Sequence, residues 1–327
     1  MSDPKPKLAV YWAGACGGCD ISILALDGKL VEIADGFDIV MWPCVMDGKV
    51  SDVEMLPDGA IAVCLWSGSV RTSEHEAMAQ LLRRKSQVLV AFGSCAHEGC
   101  IPGLANLADR EQIFATVYRE SPSTDNPTGV LPRTACRVPE GTLRLPLFYD
   151  TVQTLAQTVA VDYTLPGCPP EAERIGEALA ALASGQLPER GTVLGADTTV
   201  CDECTRTRHE KKIKQLKRTW QIQPDPELCL LEQGLVCCGI ATRAGCGALC
   251  PQVNSPCIGC YGPNAGVLDF GARMISALAS VIDSSDAAEV ERIVSEGIPD
   301  PVGTFYRFSL AHSLMRRRSL HATATVR

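Results

Sequence analysis

The sequence predicts an α/β fold in two parts, a doubly wound parallel sheet followed by a cysteine-rich half organised around metal. Three observations carry this prediction. Five apolar runs, at 8–12, 37–42, 60–66, 87–92 and 161–165, alternate with helix-like segments, the pattern of a parallel sheet with helices on both faces. Glycine-containing cysteine turns follow three of those runs directly. Nine further cysteines fall between Cys201 and Cys260.

The first run, Leu8-Ala9-Val10-Tyr11-Trp12, reads as a buried strand, and Gly14-Ala15-Cys16-Gly17-Gly18-Cys19 follows at once. Two thiols two residues apart can grip one metal centre, and glycines let the backbone bend closely around it. A flavodoxin-like sheet places a phosphate-cradling loop at this point; here cysteines take its place. Helices are expected at 20–34, 73–84 and 106–119. In the second, Met78, Leu81 and Leu82 share one face, and Ser73 stands ready to cap it, with Glu76 as capping-box partner.

In such sheets, sites form beyond the carboxyl ends of strands, near a switch in strand order. Cys16 and Cys19 follow the first run, Gly93-Ser94-Cys95 the fourth, and Pro166-Gly167-Cys168-Pro169-Pro170 the fifth. Cys16, Cys19, Cys95 and Cys168 are therefore expected on one edge. Four thiolates are the number that one cubane cluster takes.

Residues 121–146, rich in proline, threonine and glycine, read as a long irregular loop, a kind that is usually functional or partner-facing. A helix is expected at 171–184, with Pro169 and Pro170 at its entry and Gly185 past its end. Residues 186–196 then read as a linker between a domain of residues 1–190 and one of 197–327. In the second domain Cys201 and Cys204 form C-x-x-C, and Cys229, Cys237, Cys238, Cys246, Cys250, Cys257 and Cys260 follow. Glycine and proline interleave them, with little apolar periodicity. The stretch lacks the apolar residues for a core of its own and is expected to fold around metal. Eight spaced cysteines suggest two cubane clusters, with Cys238 left over. Helical periodicity resumes at 269–282, with Phe270, Ile275, Leu278 and Ile282 as an apolar stripe, and 306–315 is a weaker candidate helix.

Of the 327 residues, 46% are apolar and 21% charged, as in a globular protein, and the formal net charge of −8 argues against nucleic acid as a partner. The dense basic runs, Lys211-Lys212-Ile213-Lys214 with Lys217-Arg218 and Arg316-Arg317-Arg318, read first as solvated faces. No apolar stretch is long enough for a membrane span, and the first residues lack a signal-peptide h-region and a twin arginine, so a cytoplasmic location is expected. In a reducing compartment, seventeen cysteines, an odd number, fit metal ligation better than a disulfide framework. Zinc and iron–sulfur clusters both take four thiolates, so the count leaves the two open.

Several motifs carry a family resemblance. Cys16-Gly17-Gly18-Cys19, Gly93-Ser94-Cys95, Ile101-Pro102-Gly103-Leu104-Ala105-Asn106 and Gly167-Cys168-Pro169-Pro170 resemble the small subunit of nickel–iron hydrogenases, whose cluster-binding domain recurs in the twenty-kilodalton subunit of respiratory complex I. In the second half, Cys201-Asp202-Glu203-Cys204, Cys229-Leu230-Leu231-Glu232-Gln233-Gly234, Ala241-Thr242-Arg243-Ala244-Gly245-Cys246-Gly247-Ala248 and Pro256-Cys257-Ile258-Gly259-Cys260 resemble the cytoplasmic, coenzyme-coupled hydrogenases. The resemblance is greatest to the methyl-viologen-reducing type linked to heterodisulfide reductase.

The resemblance implies three [4Fe-4S] clusters in a row. The proximal cluster maps onto Cys16, Cys19, Cys95 and Cys168, the medial onto Cys246, Cys250, Cys257 and Cys260, and the distal onto Cys201, Cys204, Cys229 and Cys237. It also implies a separate large subunit carrying the nickel–iron centre, and a downstream redox subunit of flavoprotein, ferredoxin-like or heterodisulfide-reductase-like kind. The chain departs from the family at Asp20, where glutamate is usual, and at Cys100, where glycine is usual. Cys100, Cys238, Cys44, Cys64 and Cys136 are expected to be buried small hydrophobes that ligate no iron, and His97 to be incidental.

The function expected is electron relay from hydrogen oxidation on a partner chain. Two rival readings stand beside it: an iron–sulfur relay of the complex I kind without hydrogen chemistry, and a zinc-stabilised assembly module without a redox role.

Overall fold

The computed structural model describes residues 5–209 and 212–315. Five parallel strands form the central sheet: β1 (Lys7–Trp12), β2 (Asp38–Met41), β3 (Ile61–Ser67), β4 (Ser86–Phe92) and β5 (Tyr163–Leu165), in the order β2-β1-β3-β4-β5. Val10 lies opposite Leu65, Val63 opposite Val88, and Val90 opposite Tyr163. The strand order reverses next to β1, so the switch point lies between β1 and β3.

Alternate strand residues feed two apolar cores, as the period of a strand requires. Leu8, Val10, Val63, Leu65, Val90 and Phe92 pack with Ile23, Ile175 and Leu179 of helices Gly18–Leu24 and Ala172–Ser184. On the other face, Ala9, Cys64, Trp66, Leu89 and Ala91 pack with Val53, Met78 and Leu82 of helices Val50–Met55 and Ser73–Lys85. The doubly wound α/β sheet expected from the sequence is present.

Several local expectations are corrected. The helix expected at 20–34 is two helices, Gly18–Leu24 and Lys29–Gly36, because Asp27 turns left-handed at φ 53° just before Gly28. Thr72, not Ser73, caps the helix Ser73–Lys85: the His75 N–H donates to Thr72 Oγ1 at 3.2 Å, while Ser73 Oγ accepts from the Leu147 N–H at 2.9 Å. Residues 106–119 divide at Asp109, which caps a short helix Arg110–Ala115 by accepting from the Gln112 N–H at 2.8 Å. Within the expected loop 121–146, Ala135–Val138 and Gly141–Arg144 pair as an antiparallel hairpin. The expected linker runs along the edge of β5 instead, with the Thr164 N–H donating to the Thr192 carbonyl at 3.1 Å and the Leu194 N–H to that of Thr164 at 2.8 Å.

The second half does have an apolar core. Phe270, Met274 and Leu278 of helix Phe270–Val281, Ile293 of helix Ala287–Gly297, Phe305 and Leu310 pack against Val200, Ile213, Leu216, Cys238 and Cys257. Most of these apolar side chains lie outside the cysteine-rich segment, which is why that segment looks coreless when read alone. Ile275 is exposed and does not belong to the stripe; Met274 and Ala277 complete it at helical spacing from Phe270. Residues 306–315 form turns rather than a helix, after a short helix Pro301–Phe305. These turns close over the Cys95–Cys100 loop, where the Cys100 N–H donates to the Phe308 carbonyl at 2.8 Å. Among the described residues no helix is long and apolar enough to cross a membrane. Lys211 and the Arg316-Arg317-Arg318 run lie outside the described residues.

Candidate metal centres

The switch point is locked by backbone. Gly14 and Ser69 exchange hydrogen bonds of 3.1 and 3.0 Å, which joins the ends of β1 and β3. Gly68 has φ +98°, and a β-carbon there would stand 2.7 Å from the Ala13 carbonyl carbon and the Gly14 nitrogen. Only glycine allows this approach.

Beyond β1, Gly17 turns left-handed and opens helix Gly18–Leu24, which leaves Cys16 exposed and Cys19 buried in the first turn. The Gly18 N–H donates to Cys16 Sγ at 3.4 Å. Beyond β4, Gly93 has φ +83°, and a β-carbon on it would drive into Cys19 Sγ. The Ser94 N–H donates to the Gly167 carbonyl at 2.7 Å, tying the Cys95 turn to the Cys168 turn. Burial, then the neighbouring Cys168, Asp20 and Cys16, push the Cys19 thiol up to about 12. The turns bearing Cys16, Cys19, Cys95 and Cys168 thus meet at one edge of the sheet.

Cys201, Cys204, Cys229 and Cys237 line one cavity of about 30 Å³, together with Val200, Arg206, Arg208 and Gly239. Thr199 and Asp202 cap the turn that carries Cys201. The Cys229 N–H donates to the Thr207 carbonyl at 2.9 Å, which brings Cys229 alongside the Cys204 strand of chain. Arg206 is buried, and its guanidinium donates to the carbonyls of Asp225, Leu228 and Pro251.

Cys246, Cys250 and Cys260 come together as well. Burial, then Cys246, Cys250 and Cys168, push the Cys260 thiol up to about 12. Cys168 in that set shows that this group adjoins the sheet edge, and Ser94 Oγ–H donates across the boundary to the Cys260 carbonyl. Cys257 is buried beside Thr242. Its thiol donates to Thr242 Oγ1 at 3.5 Å, and the thiols that act on it are Cys237 and Cys238.

Among the described residues, no three Cys, His, Asp or Glu side chains converge tightly enough for a single metal ion. A tetrahedral ion with metal–sulfur bonds of about 2.3 Å draws its thiolates to within about 4 Å of one another. Four thiols around one cavity are also the donor set that an iron–sulfur cluster takes, one cysteine per iron.

The remaining cysteines divide. Cys64, Cys100 and Cys238 are buried as expected, but Cys44 and Cys136 are exposed. Cys136 lies on the unanticipated hairpin, and Cys44 lies just past β2 beside Asp20. Asp20 itself is buried and accepts from Trp42 Nε1 at 2.9 Å. His97 is held down to about 3 by burial, then by His312 and Arg243. Glu98, which nothing in the sequence singles out, is 1% exposed, and neither carboxylate oxygen has a hydrogen-bond partner. Burial pushes it up to about 8, against the pull of Arg243.

A family model described as NADH ubiquinone oxidoreductase, 20 Kd subunit, matches residues 16–182. Over 318 residues the chain is 39% identical to the F420-non-reducing hydrogenase iron-sulfur subunit of Archaeoglobus profundus, covering 95% of this chain and 98% of that protein. It is 38% identical over 313 residues to the corresponding F420-non-reducing hydrogenase vhu subunit of Methanocaldococcus jannaschii, covering 96% and 98%. A solved structure of H2-activated [NiFeSe]-hydrogenase of Dm. baculatum superposes with a TM-score of 0.50 at 17% identity, covering 80% of this chain and 96% of that one; it shares the fold. The fold and its thiol-lined edge are thus those of an oxidoreductase subunit of the hydrogenase small-subunit class. Within that class, the chain belongs to the family of F420-non-reducing hydrogenase iron–sulfur subunits.

Proposed function

We propose that the chain is the electron-transfer small subunit of a cytoplasmic [NiFe] hydrogenase and holds three [4Fe-4S] clusters. Electrons from hydrogen oxidation on a large subunit would leave through it to a further redox subunit. One observation carries the reading furthest: Cys201 and Cys204 from one turn, with Cys229 and Cys237 from two other segments, line a single small cavity. Cys16, Cys19, Cys95 and Cys168 would hold the proximal cluster, Cys246, Cys250, Cys257 and Cys260 the medial, and the cavity thiols the distal.

When bound, each cluster supplies one-electron carriage at a potential set by charge, hydrogen bonds to its sulfurs and burial. The chain supplies the rest. Glycine turns bring the thiols together, and the C-terminal turns shield Cys95 from water. The Gly18 and Cys257 N–H groups donate to Cys16 and Cys237 sulfurs, which favours an added negative charge there.

Charge supports an acidic downstream partner. Lys217, Arg218, Arg307 and the exposed Trp220 border a groove of about 240 Å³ whose lining includes Cys238 and Cys257. Among the described residues no carboxylate pairs with those three cations. Complementary charge there would speed encounter with an acidic redox protein.

The test is purification of the native complex. A co-purifying large chain that binds nickel, with hydrogen-dependent reduction of a viologen dye, is the expected result. Iron without nickel or hydrogen activity would favour a relay without hydrogen chemistry, the reading in line with the family matched at residues 16–182.

A further inference from the structure

Gly245 leads into the Cys246 turn, and it is held from two sides. It is buried and has φ +127°, a conformation that favours glycine. Its N–H donates to Glu203 Oε1 at 2.8 Å, and Glu203 lies between Cys201 and Cys204. Its carbonyl accepts from Arg174 Nε, also at 2.8 Å, and Arg174 belongs to helix Ala172–Ser184, which follows Cys168. One residue thus joins segments that carry thiols of all three groups. At the other flank of the Cys246 group, the Tyr261 hydroxyl donates to Glu171, which caps that same helix.

Neither bond is a chance surface contact. Among the described residues, Glu203 Oε2 is buried with no hydrogen-bond partner, which costs stability. The chain bears that cost while Oε1 holds Gly245. Arg174 is exposed at its tip, where Nη1 pairs with Glu177 at 2.8 Å, yet its Nε turns inward to Gly245.

We propose that Glu203 and Arg174 are positioning residues that fix the Cys246 turn between the other two thiol groups and so set the spacing of the relay. The proposal rests on the reading of the three groups as cluster ligands. Groups that hydrogen-bond behind a ligand orient it and are felt at the centre it holds. The Arg174 bond fixes the plane of the peptide that leads into Cys246. The Glu203 bond ties the preceding peptide to the Cys201–Cys204 turn. Electron transfer between centres slows steeply as the gap widens, so a turn free to drift would slow the relay with every ligand still in place. The two bonds need an acceptor and a donor at these positions; neither needs a charge.

The experiment compares the complex purified without oxygen, native and with E203A, E203Q, R174A or R174Q. Glutamine is the conservative change at both sites. Its Oε1 keeps an acceptor where Glu203 has one, and its Nε2 keeps a donor where Arg174 has Nε. Iron content, deuterium exchange of the Gly245 amide, and the magnetic splitting between clusters in the fully reduced complex are read in each. Exchange reports the clamp without reference to any cluster. The Gly245 amide should exchange several-fold faster in E203A than in the native chain, and at the native rate in E203Q. With iron content unchanged, the medial–distal splitting should weaken in E203A and the proximal–medial splitting in R174A. Both glutamine variants should restore it. Native splitting in both alanine variants would overturn the proposal. So would glutamine variants no nearer to native than the alanine ones, a comparison that decides the matter even where an alanine variant loses iron. Absence of iron from the native complex would instead bring down the cluster reading on which the proposal rests.

Discussion

The backbone N–H of Cys257 donates to the sulfur of Cys237 at 3.3 Å. These two cysteines are assigned to different clusters, so the medial and distal ligand sets would share a wall one peptide thick. The Cys257 thiol itself donates to Thr242 Oγ1. To ligate the medial cluster, Cys257 must give up its hydrogen bond to Thr242.

The C257A variant therefore tests the medial assignment where the geometry is least favourable to it. It should lose about four of about twelve irons, one cubane of three, while the distal signal remains. Unchanged iron content would mean that the medial centre is held without Cys257.

At the sheet edge, C168A should remove the proximal cluster and with it the route from the large subunit. Hydrogen-dependent dye reduction by the complex should fall to background. Full activity in that variant would refute the proximal ligand set.

Glu98 gives a pH dependence with a definite sign. Burial keeps its carboxyl protonated to about pH 8 in the folded protein, against an ordinary value of 4.5. Between those limits the native state binds more protons than the unfolded state, so this group makes stability fall as pH rises. E98Q should melt close to the native protein at pH 4, below the unfolded value, and increasingly above it as the pH rises to 8. Parallel melting curves across that range would show that Glu98 is ionised in the fold.

The basic face is tested by charge reversal. Lys212 donates to the Ser280 carbonyl and Lys214 lies 3.8 Å from Asp283, whereas Lys217 and Arg218 border the groove beside Cys257. Glutamate at Lys217 and Arg218 should slow transfer to the natural acceptor several-fold, chiefly at low salt, and leave reduction of a small dye unchanged. Equal rates for both acceptors in variant and native complex would move the electron exit to another face.

The sheet was legible because β1, β3 and β4 are buried on both faces and so read as continuous apolar runs, each followed by its turn. The left-handed Asp27 was not legible, since an aspartate does not declare its φ. Thr72 and Ser73 are adjacent and equally able to cap, and only the Leu147 N–H, brought in from far along the chain, decides between them. The hairpin at Ala135–Val138 is mostly solvent-exposed, so it carries no apolar alternation to read. At the sites, spacing pointed to which thiols would gather. It could not tell exposed Cys44 from buried Cys64, turn Cys257 toward Thr242, or show that Arg206 is spent on carbonyls. Those facts depend on contacts between segments distant in sequence.

Iron, acid-labile sulfide and zinc should be counted together in the complex purified without oxygen. About twelve irons per copy of this chain are expected, three clusters of four, with sulfide in equal number and zinc absent from the chain. Stoichiometric zinc with little iron would contradict the cluster relay.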